Sequence, residues 1–309
     1  MTEGPVVLTE GLTKAYGRRV ALLDLDLEIA QGEVFGYLGP NGAGKTTTLR
    51  LLAGMLRPTS GRAQVLGQDA WRGSVAVHRR MGYLSGEPAL YDRLTGREHA
   101  EYLGFLRGNV APRRVEELSA RLDLDLDQPS RELSKGNKQK LALVLAMMSA
   151  PTLLVLDEPT GGLDPIAQQD IHKILREHTD GGGSVLLSSH VLSEVQRVAD
   201  RVGVLRSGRL VAVERLDELR SKSLHHVHAH FSEPIELAVF ADVPGLVGLS
   251  VSDNSMTCSA PQSALDRLLK RVSQHQVVDF ECVEAELEET FLTYYGTGEN
   301  HGEGGDHAA

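Results

Sequence analysis

Cysteine is scarce in this chain: only Cys258 and Cys282 occur among 309 residues. A disulfide scaffold is excluded, and the usage fits a reducing compartment. An excess of basic charge is also missing. Lys and Arg number 32 against 42 Asp and Glu, a net charge of −10. That speaks against a surface that wraps nucleic acid, which needs a basic face. No apolar run is long enough to span a membrane, which takes ~20 largely uninterrupted residues. The longest, residues 141–156, is broken by Ser149, Pro151 and Thr152 and bounded by Lys140 and Asp157. The opening MTEGPVV has no basic segment leading into an apolar core, so no secretory signal is expected. These absences predict a soluble chain whose membrane role, if it has one, runs through a partner. Internal repeats are absent as well.

What is present is ordinary globular material, 41% hydrophobic and 24% charged. The length suggests two domains, or one with an appendage. Acidity is concentrated at the end: residues 284–309 hold seven acids and no Lys or Arg, while the first 283 carry 35 acids against 32 bases. Residues 5–30 alternate like strands. Val34-Phe35-Gly36-Tyr37-Leu38, Leu153–Leu156 and residues 185–189 are short apolar runs that read as buried strands. Helices are predicted over 46–54, through most of 95–150, and over 166–178, where Asp164 caps and Pro165 takes the first helical position. Residues 63–84 read as short strands and turns. The pattern shifts after about residue 220. Strands at 225–231, 247–251, 256–258 and 277–283 with helices at 263–273 and 284–295 predict a small α+β unit. The polar, Gly-rich residues 297–309 read as a disordered acidic tail.

Gly39-Pro40-Asn41-Gly42-Ala43-Gly44-Lys45-Thr46-Thr47 fits G-x-x-x-x-G-K-[ST] and lies between a buried strand and a helix. Such a loop points backbone N–H groups at phosphate oxygens, and the following helix adds its positive end. Lys45 should bridge the β- and γ-phosphates of a nucleotide, and the Thr46 hydroxyl should hold Mg²⁺. Leu153-Leu154-Val155-Leu156 runs into Asp157-Glu158, placing two acids at the carboxyl end of a sheet, where open α/β folds bind ligands. Asp157 is the candidate Mg²⁺ ligand. Glu158 is the candidate residue that polarises an attacking water. Taken alone, Asp-Glu-Pro is also good turn chemistry.

The order of these motifs resembles an ATP-binding cassette (ABC) ATPase across residues 5–220. Tyr16 lies where that family stacks an aromatic on adenine. Leu133-Ser134-Lys135-Gly136-Asn137 resembles its LSGGQ signature. Asp157-Glu158-Pro159-Thr160, Gly161-Gly162-Leu163-Asp164-Pro165 and His190 match its second carboxylate motif, the loop after it and its switch histidine. The resemblance implies an α/β fold, a P-loop NTPase of the ABC type over residues 1–222. A helical subdomain falls at about 88–150, and the small α+β domain at 223–296. It implies ATP and Mg²⁺ as cofactors, with His190 contacting the γ-phosphate. Ser134 and Gly136 would reach the nucleotide of a second cassette, either another copy or a paralogue, and Asp164 is counted with the nucleotide-binding residues. The GLDP form and the appendage resemble the drug- and antibiotic-export branch, in which a separate integral-membrane permease carries the substrate. The expected location is the cytoplasmic face of the cell membrane, with no nucleic-acid partner. The alternatives are a soluble cassette acting on ribosomes or DNA, and an importer ATPase.

Lys135 and Asn137 depart from the signature, but Ser134 and Gly136 are kept. Gly86 stands where the family often has a Gln that touches Mg²⁺ and senses the permease; Glu87, one position on, is a candidate substitute, but the reading preferred is a solvated loop carboxylate. His226, His228 and His230 would share one face of a strand. Metal binding is conceivable there, but the reading preferred is a solvated face. Both cysteines read as small core residues. Trp71 and Arg72 fall outside every motif.

Overall fold

The computed structural model describes residues 4–108, 112–218 and 224–284. The predicted helix over 284–295 and the tail at 297–309 lie outside the described residues, save for Glu284. The chain divides into two compact units, 1–214 and 215–309. The division falls eight residues before the expected 222, where the edge strand of the central sheet ends.

The first unit contains two sheets. Strands β1 (Val7–Tyr16), β2 (Arg19–Ile29), β4 (Ser60–Val65) and β5 (Gln68–Asp69) form an antiparallel sheet ordered β2-β1-β4-β5. The central sheet has six strands. They are β3 (Val34–Leu38), β6 (Met81–Leu84), β7 (Leu153–Asp157), β8 (Ser184–Ser189), β9 (Arg201–Arg206) and β10 (Arg209–Arg215), in the order β10-β9-β3-β8-β7-β6. From β9 to β6 the pairing is parallel. Every residue of β3, β7 and β8 is buried, as parallel strands covered on both faces must be. Each fully buried Leu or Val there contributes ~1.5–3 kcal/mol over an exposed one.

Helices α1 (Lys45–Leu52), α2 (Ser74–His78), α3 (Gly96–Arg107), α4 (Pro112–Arg121), α5 (Lys135–Met147), α6 (Pro165–Asp180) and α7 (Leu192–Gln196) complete the unit. The ends of α3 are written in its sequence. Thr95 and Glu98 form a reciprocal capping box, and Gly108 closes the helix in the left-handed region. Helix α2 interrupts the region read as strands and turns. The hairpin β9–β10 was not anticipated either. Its signal is Ser207-Gly208, both at positive φ, joining two runs that each contain alternating apolar residues.

The second unit holds β11 (Leu224–Phe231), β12 (Val247–Ser252), β13 (Ser255–Pro261) and β14 (Val277–Glu284), antiparallel and ordered β12-β13-β11-β14. Helix α8 (Gln262–Val272) supplies Ala264, Leu268 and Val272 to a core shared with Val227, Phe231, Phe240 and Met256. Alternation along β11 buries Val227, Ala229 and Phe231 and leaves His226, His228 and His230 on the other face. Cys258 joins the core, but Cys282 is exposed. The expectation fails for Cys282 because β14 is an edge strand. Among the described residues, no group of three or more His, Cys, Asp or Glu is placed to hold a metal ion. No helix among them is long and apolar enough to cross a membrane.

Candidate active site

The parallel register sets three chain segments side by side. Leu38 at the end of β3 lies opposite Ser189 of β8, and Ser188 lies opposite Asp157 at the end of β7. The phosphate loop, the Asp157-Glu158 pair and Ser189-His190 therefore leave the sheet at neighbouring carboxyl ends. An open cleft of about 370 Å³ lies over the phosphate loop. It is lined by Tyr16, Arg19, Pro40, Asn41, Gly42, Gly44, Lys45, Thr46, Thr47 and Glu158. Tyr16 is half exposed, and the Lys14 ammonium sits 5.1 Å from its ring centroid.

Gly42 and Gly44 have φ of 81° and 111°. A Cβ on Gly44 would sit 2.5 Å from the Ala21 carbonyl, so both conformation and space require glycine there. Gly39 offers its carbonyl to the Lys45 ammonium at 2.6 Å, and Pro40 offers its own at 3.3 Å. Ala43 is buried and anchors the loop: its N–H donates to Pro40 and its carbonyl accepts from Gly208. Thr46, half-buried in the first turn of α1, donates to Asp157 Oδ2 at 2.7 Å. The other Asp157 oxygen accepts from the Ser188 hydroxyl at 2.5 Å. Asp157 is 4% exposed, and these two bonds offset the cost of burying a carboxylate.

Glu158 is the meeting point. Its carboxylate lies 3.7 Å from the Lys45 ammonium and 2.9 Å from His190 Nδ1. Burial pushes Lys45 below its ordinary pKa, and the Glu158 and Asp157 carboxylates oppose that fall. Glu158 has φ of 48°, a left-handed conformation that costs a side-chain-bearing residue ~1–2 kcal/mol. Its N–H donates to the Ser188 carbonyl and hydroxyl at 3.2 and 3.1 Å. Ser188 thus holds both acids, and the motif reading missed it. It also missed Glu194 of α7, which accepts from Thr160 and Ser189 hydroxyls, each at 2.9 Å. A buried polar residue following a run such as Val185-Leu186-Leu187 is the available signal for Ser188.

Ser134, Gly136 and Asp164 do not line the cleft. Ser134 caps α5, accepting the Asn137 N–H at 3.1 Å. A Cβ on Gly136 would lie 3.4 Å from Leu163, so the signature packs on the loop that follows Glu158. Asp164 caps α6, accepting from Ile166 and Ala167, both at 3.0 Å. The Ala167 N–H bond foremost holds its carboxyl below the usual range. Gly86 lies beside Asp157, where a Cβ would be 3.6 Å from Oδ2. Glu87 is exposed, as a solvated loop carboxylate is.

A profile of the ABC transporter family matches residues 22–161. A daunorubicin resistance ATP-binding protein, DrrA3 of Streptomyces coeruleorubidus, is 38% identical over 261 residues, covering 82% of this chain and 83% of that protein. The chain belongs to the ABC transporter family. The bacitracin transport ATP-binding protein BcrA of Bacillus licheniformis is 32% identical over 77% of this chain and 78% of its own length. Among solved structures, an ATP-binding subunit of an ABC transporter superposes with a TM-score of 0.65 at 30% identity, over 70% of this chain and 92% of that one. The cassette MJ0796, described as dimeric and bound to ADP and Pi, gives 0.63 at 24% identity over 68% and 98%. The P-loop NTPase fold of an ABC cassette, with a small C-terminal sheet domain, is thereby established. So is its class: an ATP-hydrolysing subunit of an ABC transporter, grouped with ATPases of drug and antibiotic resistance.

Proposed function

We propose that this subunit powers export of a drug-like or antibiotic-like substrate through a separate integral-membrane permease. It would work as a pair of cassettes, with a second copy or a paralogue, on the cytoplasmic face of the membrane. The observation that carries the direction is the similarity to DrrA3 and BcrA along four-fifths and three-quarters of the chain. Their names state daunorubicin resistance and bacitracin transport. The acidic net charge of −10 weighs against the ribosome- or DNA-acting alternative.

The site supports a division of labour. Lys45, folded onto the Gly39 and Pro40 carbonyls, is placed to turn to the terminal phosphates. Tyr16 offers the adenine a ring face at the cleft mouth. Thr46 and Asp157 present adjacent hard oxygens, which suit Mg²⁺ held by few protein ligands and the phosphates. When bound, Mg²⁺ would neutralise charge on the β- and γ-phosphates. Glu158 accepts a proton of the attacking water as the water oxygen bonds to the γ-phosphorus and the bond from that phosphorus to the β–γ bridging oxygen breaks, so that ADP and phosphate leave. His190, hydrogen-bonded to Glu158, orients that carboxylate and contacts the γ-phosphate. Ser134 and Gly136, at a helix N-terminus outside the lining of this cleft, would serve the partner's phosphate, with Asp164 on the adjoining loop.

A groove of about 780 Å³ between residues 83–91 and α3 supports a permease contact. Tyr91, Tyr102 and Leu106 on its rim are exposed, and adjacent Phe105 is 85% exposed, more apolar surface than an unpartnered helix needs. The test is affinity purification of the tagged protein from membranes in mild detergent. A stoichiometric polytopic membrane protein, lost with Phe105→Asp plus Leu106→Asp, is expected. Copurifying ribosomes or DNA would overturn the reading.

A further inference from the structure

Glu158 carries a strained backbone, and the strain needs a restraint. One side is held by Ser188, through the Glu158 N–H. The other side is its carbonyl, which closes a turn by accepting the Gly161 N–H at 3.1 Å. A second donor reaches the same turn from a different part of the fold. Gln139 of α5, 3% exposed, sends its amide Nε2 to the Glu158 carbonyl at 3.1 Å and to the Pro159 carbonyl at 3.4 Å. One amide group therefore bridges two consecutive carbonyls of the catalytic turn. An uncharged donor buried against two carbonyls makes poor sense as packing, since an apolar side chain would bury more cheaply.

We infer that Gln139 is a positioning residue for Glu158. It holds the carbonyl side of the left-handed turn so that the carboxylate faces Lys45 and His190. Without it, the Gly161 N–H is the one remaining hydrogen-bond donor to that carbonyl among the described residues, and Glu158 can relax toward an ordinary φ. Such relaxation swings the side chain by more than the ~1 Å that suffices to cost about a hundredfold in rate. Helix α5 is the same helix that Ser134 caps, so the element bearing the signature also grips the base of its own chain. The inference rests on Glu158 as the base, and the first measurement below separates the two.

The experiment is single-turnover and steady-state ATP hydrolysis by the purified full-length chain. Glu158→Gln alone tests the base: turnover at the wild-type rate would remove the premise. Gln139→Met keeps the volume and removes both donors. It is expected to lower kcat about tenfold to a hundredfold at unchanged KM for ATP. Added to Glu158→Gln it should lower the residual rate no further, because there is no longer a base to aim. If Gln139→Met is insoluble, Gln139→Leu, which likewise carries no donor, serves instead. An unchanged kcat, a raised KM with kcat kept, or the same fold loss in both backgrounds would overturn the proposal.

Discussion

Two sheets in this chain gather polar side chains at one place, and only one of them builds a site. At the carboxyl ends of β3, β7 and β8 the polar residues are buried or half-buried and bond one another across strands: Thr46 and Ser188 to Asp157, His190 to Glu158. On the outer face of β11, His226 bonds Ser259 at 3.0 Å, and His230 bonds Ser255 at 2.9 Å and Asn254 at 3.1 Å. The acids in register with that face, Glu281 opposite His228 and Asp279 opposite His230, make no hydrogen bond or ion pair with the stripe among those described. The difference is topological. A parallel sheet buries both faces and leaves only strand ends for polar groups, so those groups converge. An antiparallel sheet can leave one face to water, and polar residues spread along it. Density of titratable residues is therefore a weaker sign of chemistry than their convergence with opposite charge.

The comparison breaks first at Lys45. It is a nearly buried cation over a phosphate cleft, and its carbonyl partners are replaceable by phosphate oxygens. Lys45→Ala is expected to reduce kcat/KM for ATP by more than ~10³-fold and to weaken binding of a fluorescent ATP analogue strongly. Near wild-type activity would mean that convergence here is structural alone. Glu158→Gln comes next. Glutamine keeps the shape and is a very poor base, so turnover should fall by ~10²–10⁴-fold with ATP affinity retained. With ATP persisting, size-exclusion chromatography should show an ATP-dependent dimer that Ser134→Arg abolishes. A dimer indifferent to Ser134 would confine the signature to capping α5.

The phosphate loop and Asp157-Glu158 were legible because their chemistry is written in consecutive residues flanked by apolar strands. Strands β3, β7 and β8 were legible for the same reason, as unbroken apolar runs. What sequence left dark depends on register between distant segments. Ser188 faces Asp157 across 31 positions of chain, Gln139 meets Glu158 across 19, and neither pairing has a local pattern. The strain at Glu158 was dark too, since nothing in Asp-Glu-Pro marks a positive φ. Cys282 misled because alternation tells which residues share a face but not that β14 lies at an edge.

Ser188 sharpens the comparison at intermediate size. Its hydroxyl orients the acid proposed to hold Mg²⁺, and loss of such an orienting bond typically costs 10–100-fold in metal affinity or activity. In Ser188→Ala the Mg²⁺ concentration for half-maximal hydrolysis should rise at least about tenfold, with KM for ATP at saturating Mg²⁺ changing little. An unaltered Mg²⁺ titration would place Ser188 among packing residues.

The smallest effect belongs to the other sheet, and its smallness is the point. His226 shares a hydrogen bond with Ser259, and His230 with Ser255 and Asn254, on the face of β11 turned from the core, where water replaces a lost partner at little cost. The inner face of β11 supplies Val227, Ala229 and Phe231 to the core, and the substitutions leave that face untouched. Replacing His226, His228 and His230 together by Thr, a good strand former, should change unfolding free energy by no more than about 1 kcal/mol and leave kcat and KM for ATP unaltered. Added Zn²⁺ should shift the melting temperature of neither protein, because a ligand that binds only the native state would raise it with concentration. A Zn²⁺-dependent rise in the wild-type chain, absent from the triple variant, would show that the stripe converges on a cation after all. The contrast between the two sheets would then be one of ligand rather than of topology.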